Sequence, residues 1–281
     1  MKIRNLLVMA AFLMLFSCAE KRANPLIQNL DKSWIVTTDT LNIKMEVDVP
    51  SVIQADMYEN GLIPHPYKSN IESQLHWIPQ HEWEYSLDFK AEDYILREDV
   101  IELVFEGLDT YADVWMNGKK ILHADNMFRT YSYDVKDIIK ETNNIKIKFY
   151  PFDKERDSLI ETYPLRFPEK YAVMRKAAYQ NGWDWAPRYM NMGIWQPVYL
   201  KAWTRSTICS ASVITKEVHD DKADLFFEAR IDANVEHNVS LQLYQENEKI
   251  LDQNIELKKG TNYYSFPFEL SDPKLWYPNE L

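Results

Sequence analysis

Residues 83–89, WEYSLDF, place Trp83, Tyr85, Leu87 and Phe89 on one side of an extended chain and Glu84, Ser86 and Asp88 on the other. This alternation is the period of a half-buried strand, so the stretch predicts an antiparallel sheet with one face on a core. The pattern recurs outward. IELVF (101–105) turns Ile101, Leu103 and Phe105 one way, and NIKIKF (144–149) sets Ile145, Ile147 and Phe149 against Lys146 and Lys148. Between them, YADVWMNGKKIL (111–122) holds Asn117-Gly118, a pair suited to the positive φ of a two-residue hairpin. VYLKAW (198–203) is a further strand. From about Thr204 the runs DLFFEARI, VSLQLYQ, KILDQNIEL and YYSFPF follow at short intervals, which predicts a second, smaller β-sandwich.

Helical signals are few. SVIQADMYENG (51–61) has Val52, Ile53, Met57 and Tyr58 near helical spacing, with Ser51 as N-cap and Gly61 past the end. YDVKDIIKE (133–141) gives a turn or two. From Asp153 to Arg188 alternation is lost and Pro164, Pro168 and Pro187 intervene, so the segment reads as a long irregular excursion, the kind of loop that carries function on a β scaffold.

A net charge of -11 argues against nucleic acid, whose phosphates are held by clustered Lys and Arg. With six glycines and no glycine-rich fingerprint, nucleotide-binding loops are excluded. The six histidines, His65, His76, His81, His123, His219 and His237, do not fall at metal-ligand spacing, and no metal or cofactor is expected. Cys209, in STICSASVI, reads as a small core residue.

Residues 1–17, MKIRNLLVMAAFLMLFS, set Lys2 and Arg4 before an apolar run and lead into Cys18. The layout is that of a signal peptide, and LFSC resembles a bacterial lipobox. It implies lipidation of Cys18, a tether over 18–30, and export to the periplasmic or cell-surface side of a bacterial membrane. The alternative is an ordinary secretory signal that contains a cysteine.

The order of segments resembles the N-terminal part of a β-mannosidase of the multidomain glycoside hydrolase group that also holds β-galactosidases and β-glucuronidases. The segments that carry it are VPSVIQADMYENGLIPHPYKSNIESQLHWI, EWEYSLDF, FEGLDTYADVWMNGKKI, DNMFRTYSYDV, MRKAAYQNGWDWAPR, GIWQPVYLKAW and LWYPN, between about Val49 and Asn279. The implied fold is all-β: a jelly-roll-like galactose-binding-type β-sandwich over 31–204, then an immunoglobulin-like β-sandwich over 205–281 that is incomplete, with four or five strands where about seven are needed. A catalytic TIM barrel would follow, and it is absent from this chain. Retaining hydrolysis needs two carboxyl groups about 5 Å apart. The resemblance places both on that barrel, so no catalytic residue is expected within residues 1–281.

The same resemblance implies that NGWDWAPR closes a pocket for the non-reducing mannose, with Asp184 accepting hydrogen bonds from sugar hydroxyls and Trp183 walling the pocket. The other reading of Asp184 is a loop brace through Arg188 or Arg175. Trp185 is a further candidate for sugar contact, although Trp185 and Trp195 read more readily as core. Arg175 and Lys176 could reach a ligand or brace the loop. DNMFR (125–129) is expected to hold a turn and plug Met127 and Phe128 into the core or the domain interface. Ala186 and Ser51 stand where the family has glycine, and Ala186 adds a methyl at a close approach. The function expected is the N-terminal part of an exo-acting β-mannosidase whose partners are a β-mannoside, the barrel and a membrane. The alternatives are a non-catalytic carbohydrate-binding or interaction lipoprotein, or a related glycosidase acting on another β-linked sugar.

Overall fold

The computed structural model describes residues 25–38, 40–68, 70–162 and 169–276; Cys18 and the signal-like stretch lie outside them. The strands are β1 (Leu26–Asn29), β2 (Trp34–Thr38), β3 (Ile43–Val47), β4 (Trp83–Lys90), β5 (Val100–Phe105), β6 (Ala112–Met116), β7 (Lys119–Ala124), β8 (Tyr131–Asp134), β9 (Thr142–Phe149), β10 (Val198–Trp203), β11 (Ser206–Val218), β12 (Lys222–Ala233), β13 (His237–Gln245), β14 (Glu248–Leu257) and β15 (Gly260–Ser271). A six-stranded sheet, β3-β2-β4-β9-β6-β7, faces a four-stranded one, β1-β10-β5-β8, and every ladder in them is antiparallel.

One core joins the two sheets. Trp34, Trp83, Tyr85 and Phe149 from the larger sheet meet Ile101, Leu103, Phe105 and Leu200 from the smaller, all fully buried. Each large side chain removed from water in this way contributes about 1.5–3 kcal/mol. The two buried indoles keep their N–H groups satisfied, Trp34 donating to the Leu30 carbonyl at 2.7 Å and Trp83 to that of Ile78 at 2.9 Å. The β6–β7 hairpin turns at Asn117 (φ 51°) and Gly118 (φ 81°), as its sequence predicts.

Beyond β10 the sheets change. β11-β12-β15 and β13-β14 enclose a smaller core of Phe227, Ile231, Leu241, Leu251, Ile255 and Leu257, with Phe266 and Phe268 packed on it. β11 lies at an edge and leaves Ile208, Val213, Ile214 and Val218 exposed.

Three local expectations need correction. First, Ser51 does not cap the helix Ile53–Glu59: Val52 holds the cap position, and the Ser51 hydroxyl donates instead to the buried carboxylate of Asp56. Second, the excursion begins with an α-helix, Phe152–Thr162. Its sequence conceals it because Phe152 and Arg156 alone are buried, too narrow an apolar face for a helical period. Third, DNMFR buries Met127 but leaves Phe128 62% exposed. The amide N–H groups of Met127 and Ala177 account for the difference: the first donates to the Arg175 carbonyl at 3.0 Å and the second to the Met127 sulfur at 3.0 Å, which draws only Met127 beneath the excursion.

Candidate carbohydrate-contact loop

β5 and β10 pair antiparallel up to Phe105↔Val198, and the chain continues side by side past that point. Glu106 N–H donates to the Pro197 carbonyl at 3.0 Å, and Asp109 and Gly193 exchange amide hydrogen bonds of 2.9 and 3.0 Å. The ladder therefore sets Asp109 opposite Gly193. Gly193 in turn is pressed on Ser51 and Tyr85: a Cβ there would stand 2.8 Å from the Ser51 carbonyl oxygen and 2.8 Å from the Tyr85 hydroxyl. On its far side, residues 190–194 run along 51–54, with Ser51 N–H donating to the Ile194 carbonyl, Ile53 N–H to that of Met192 and the Gln54 amide to that of Met190.

At the base of the loop, the Asp109 carboxylate collects three donors. The ammonium of Lys176 and the hydroxyl of Thr110 reach Oδ1, and the Gln180 amide reaches Oδ2 at 3.0 Å. The Lys176 and Asp109 side chains are 2% and 1% exposed. Lys176 also donates to the Asn191 carbonyl at 2.5 Å and faces Thr110 Oγ1 at 3.4 Å, while Gln180 Oε1 accepts from Asn191 N–H at 2.8 Å. Burial pulls the Lys176 ammonium below the ordinary lysine value, and the charge of Asp109 works against that pull. Of the two sequence readings of Lys176 the structure selects the brace: its three N–H groups face three protein acceptors, leaving none for a ligand.

Above this base the chain makes a tight turn. Trp183 and Ala186 exchange amide hydrogen bonds of 3.1 and 3.2 Å, which puts Asp184 and Trp185 at the two corners. Neither corner has positive φ, and neither does Ala186, so the alanine fits where the family has glycine. Gly182 before the turn does need its freedom, with φ 89° and Arg188 Cβ 3.2 Å from where a Cβ would stand. The outgoing leg is held by Arg188. Its amide donates to Glu72 at 2.9 Å, and its guanidinium lies over the Tyr171 ring and donates to the Tyr171 hydroxyl at 2.6 Å. Arg156 covers the same ring 5.2 Å from its centroid.

Trp183 and Asp184 line one cleft of ≈ 660 Å³, together with Glu169, Tyr171, Lys176 and Asn181. Trp183 is 64% exposed. Among the described residues no side chain pairs with the exposed carboxylate of Asp184, so the alternative reading, a brace to Arg188 or Arg175, is not made. Trp185 lies outside the cleft lining and is 85% exposed, which corrects the core reading for it. Trp195 does serve packing: its indole lies on Gly107 and donates to the Met127 carbonyl at 3.0 Å. Cys209 is half-buried, and burial pushes its thiol up, the opposite of an activated nucleophile. Asp109, Gln180, Tyr171 and Gly193 went unmarked in the sequence; nothing local sets Asp109 apart, since the stretch FEGLDTYADVWM also carries Glu106 and Asp113.

Residues 30–196 match the family model described as glycosyl hydrolase 2 galactose-binding domain-like. The chain is 28% identical over 240 residues to β-mannosidase B of Thermothelomyces thermophilus, covering 82% of this chain and 27% of that protein. It is 29% identical over 187 residues to the β-mannosidase of Mus musculus, covering 62% and 21%. A crystal structure of β-D-mannosidase from Dictyoglomus thermophilum superposes with a TM-score of 0.81 at 29% identity, over 90% of this chain and 32% of that one. An exo-chitosanase from Amycolatopsis orientalis, at 20% identity and a TM-score of 0.69, shares the fold. The chain thus spans about a fifth to a third of the length of these proteins.

Proposed function

The chain belongs to the glycosyl hydrolase 2 galactose-binding-domain-like family, and on that premise we propose that it is the N-terminal part of an exo-acting β-mannosidase that helps form the pocket for the non-reducing mannose. The observation that carries this reading is the turn itself. Lys176 and Arg188 are spent on protein groups, whereas the Asp184 carboxylate has no side-chain partner among the described residues and lines the same cleft as the exposed Trp183. A pyranose supplies what such a pair lacks: an apolar C–H face for the indole and vicinal hydroxyls for the carboxylate. Trp185, the exposed second corner of the turn, offers a further indole on which a sugar can stack. The two carboxyl groups of retaining hydrolysis are assigned to a further domain of the enzyme. Lipidation of Cys18, with tethering to the outer side of a bacterial membrane, belongs to the same proposal.

The test is Asp184→Ala in the enzyme at its natural length, assayed on a β-mannoside. Loss of a charge-assisted hydrogen bond costs about 1.5–3 kcal/mol, so kcat/KM should fall roughly 10- to 150-fold. An unchanged kcat/KM removes Asp184 from the pocket. Equal turnover of β-mannoside and β-glucosaminide by the parent enzyme would replace the mannoside assignment with a broader one.

A further inference from the structure

We propose that the buried Asp109–Lys176 pair is a positioning clamp for the Trp183–Ala186 turn, setting where Asp184 stands without touching a ligand. The inference rests on the carbohydrate reading of that turn. Lys176 and Asn191 flank the loop, and the Lys176 ammonium closes it by donating to the Asn191 carbonyl while paired to Asp109. Gln180 adds a parallel tie, donating to Asp109 Oδ2 and accepting from Asn191 N–H. Asp109 is itself fixed by the end of the β5–β10 ladder through its exchange with Gly193. The Asp109 carboxylate is therefore the buried charged point at which the sandwich holds both legs of the loop, beside the ties of residues 190–194 to 51–54 and of Met127 to Arg175. Because both charges are out of water, removing one leaves the other uncompensated, and the local structure must open to hydrate it.

A residue acting through Asp184 loses its effect once Asp184 is gone. In the natural-length enzyme, Lys176→Met should lower kcat/KM for a β-mannoside roughly tenfold or more, yet by less than about twofold when Asp184 is already alanine. The neutral pair Asp109→Asn with Lys176→Gln, which keeps hydrogen-bonding groups without charge, should recover most of the loss. In the 281-residue chain, hydrogen exchange at the Trp183 and Ala186 amides should quicken roughly tenfold or more in Lys176→Met relative to the change at Tyr85 and Ile147 in the core strands. The same factor lost in both Asp184 backgrounds overturns the clamp, and so does equal acceleration in loop and core. Failure of both Lys176→Met and the neutral pair to fold also overturns it, since the pair would then serve the sandwich. If Asp184→Ala leaves kcat/KM unchanged, the carbohydrate reading fails, and the exchange data alone decide whether the clamp exists.

Discussion

Gly193 and Asp56 show how the loop that carries Trp183 and Asp184 is tied to a core at single residues. Gly193 has φ 146° and no room for a Cβ between Ser51 and Tyr85. Gly193→Ala should therefore destabilise the fold by about 2 kcal/mol or more, since overpacking and backbone strain act together; a denaturant midpoint within error of the parent would contradict this. Asp56, next to that contact, is pushed up to about 6 by burial, against hydrogen bonds from Ser51 and Tyr85 that favour its ionised form. The folded state therefore binds this proton more tightly than the unfolded chain. The associated stability is present below about pH 4 and is lost as pH rises through about 6. Between pH 4 and pH 7.5 the unfolding free energy of Asp56→Asn should gain about 2.4 kcal/mol relative to the parent. A difference that stays flat across that window would show that Asp56 is not buried as described. Trp183 and Asp184 could be picked out in the sequence because an acid between indoles is chemically conspicuous. Asp109 could not, because its meaning depends on Lys176, 67 residues later.

At the level of elements, strands were the readable part. Trp83, Tyr85 and Leu87 alternate in sequence and are buried in the structure, and Asn117-Gly118 turns where its φ preferences require. The helix Phe152–Thr162 was not readable, since it is anchored by Phe152 packing with Tyr111, Met174 and Met190 rather than by an apolar stripe of its own. Its Arg156 and the distant Arg188 share the Tyr171 ring, so helix, short turn and outgoing leg form one brace. Tyr171→Leu should remove that brace while sparing the sandwich. Limited proteolysis should then cut within residues 169–189 faster than in the parent while the thermal midpoint moves by only a few degrees. Cleavage at the parental rate would mean that the ion pair at the base suffices.

Across the molecule, two β-sandwiches of unequal core carry one loop that is tied down at its base and open at its tip. The larger core, with Trp34, Trp83, Tyr85 and Phe149 wholly buried, supplies the rigidity a binding turn needs. Similarity to β-mannosidases runs over most of this chain and about a fifth to a third of theirs, and the function we propose is a division of labour in which this part shapes a pocket and another performs the chemistry. The measurement that bears most directly on this is a crystal structure of the natural-length protein with a mannose-configured inhibitor. The account predicts the Asp184 carboxylate within about 2.5–3.0 Å of ring hydroxyls and the Trp183 indole against the sugar. A bound inhibitor with Asp184 and Trp183 both facing solvent would contradict it.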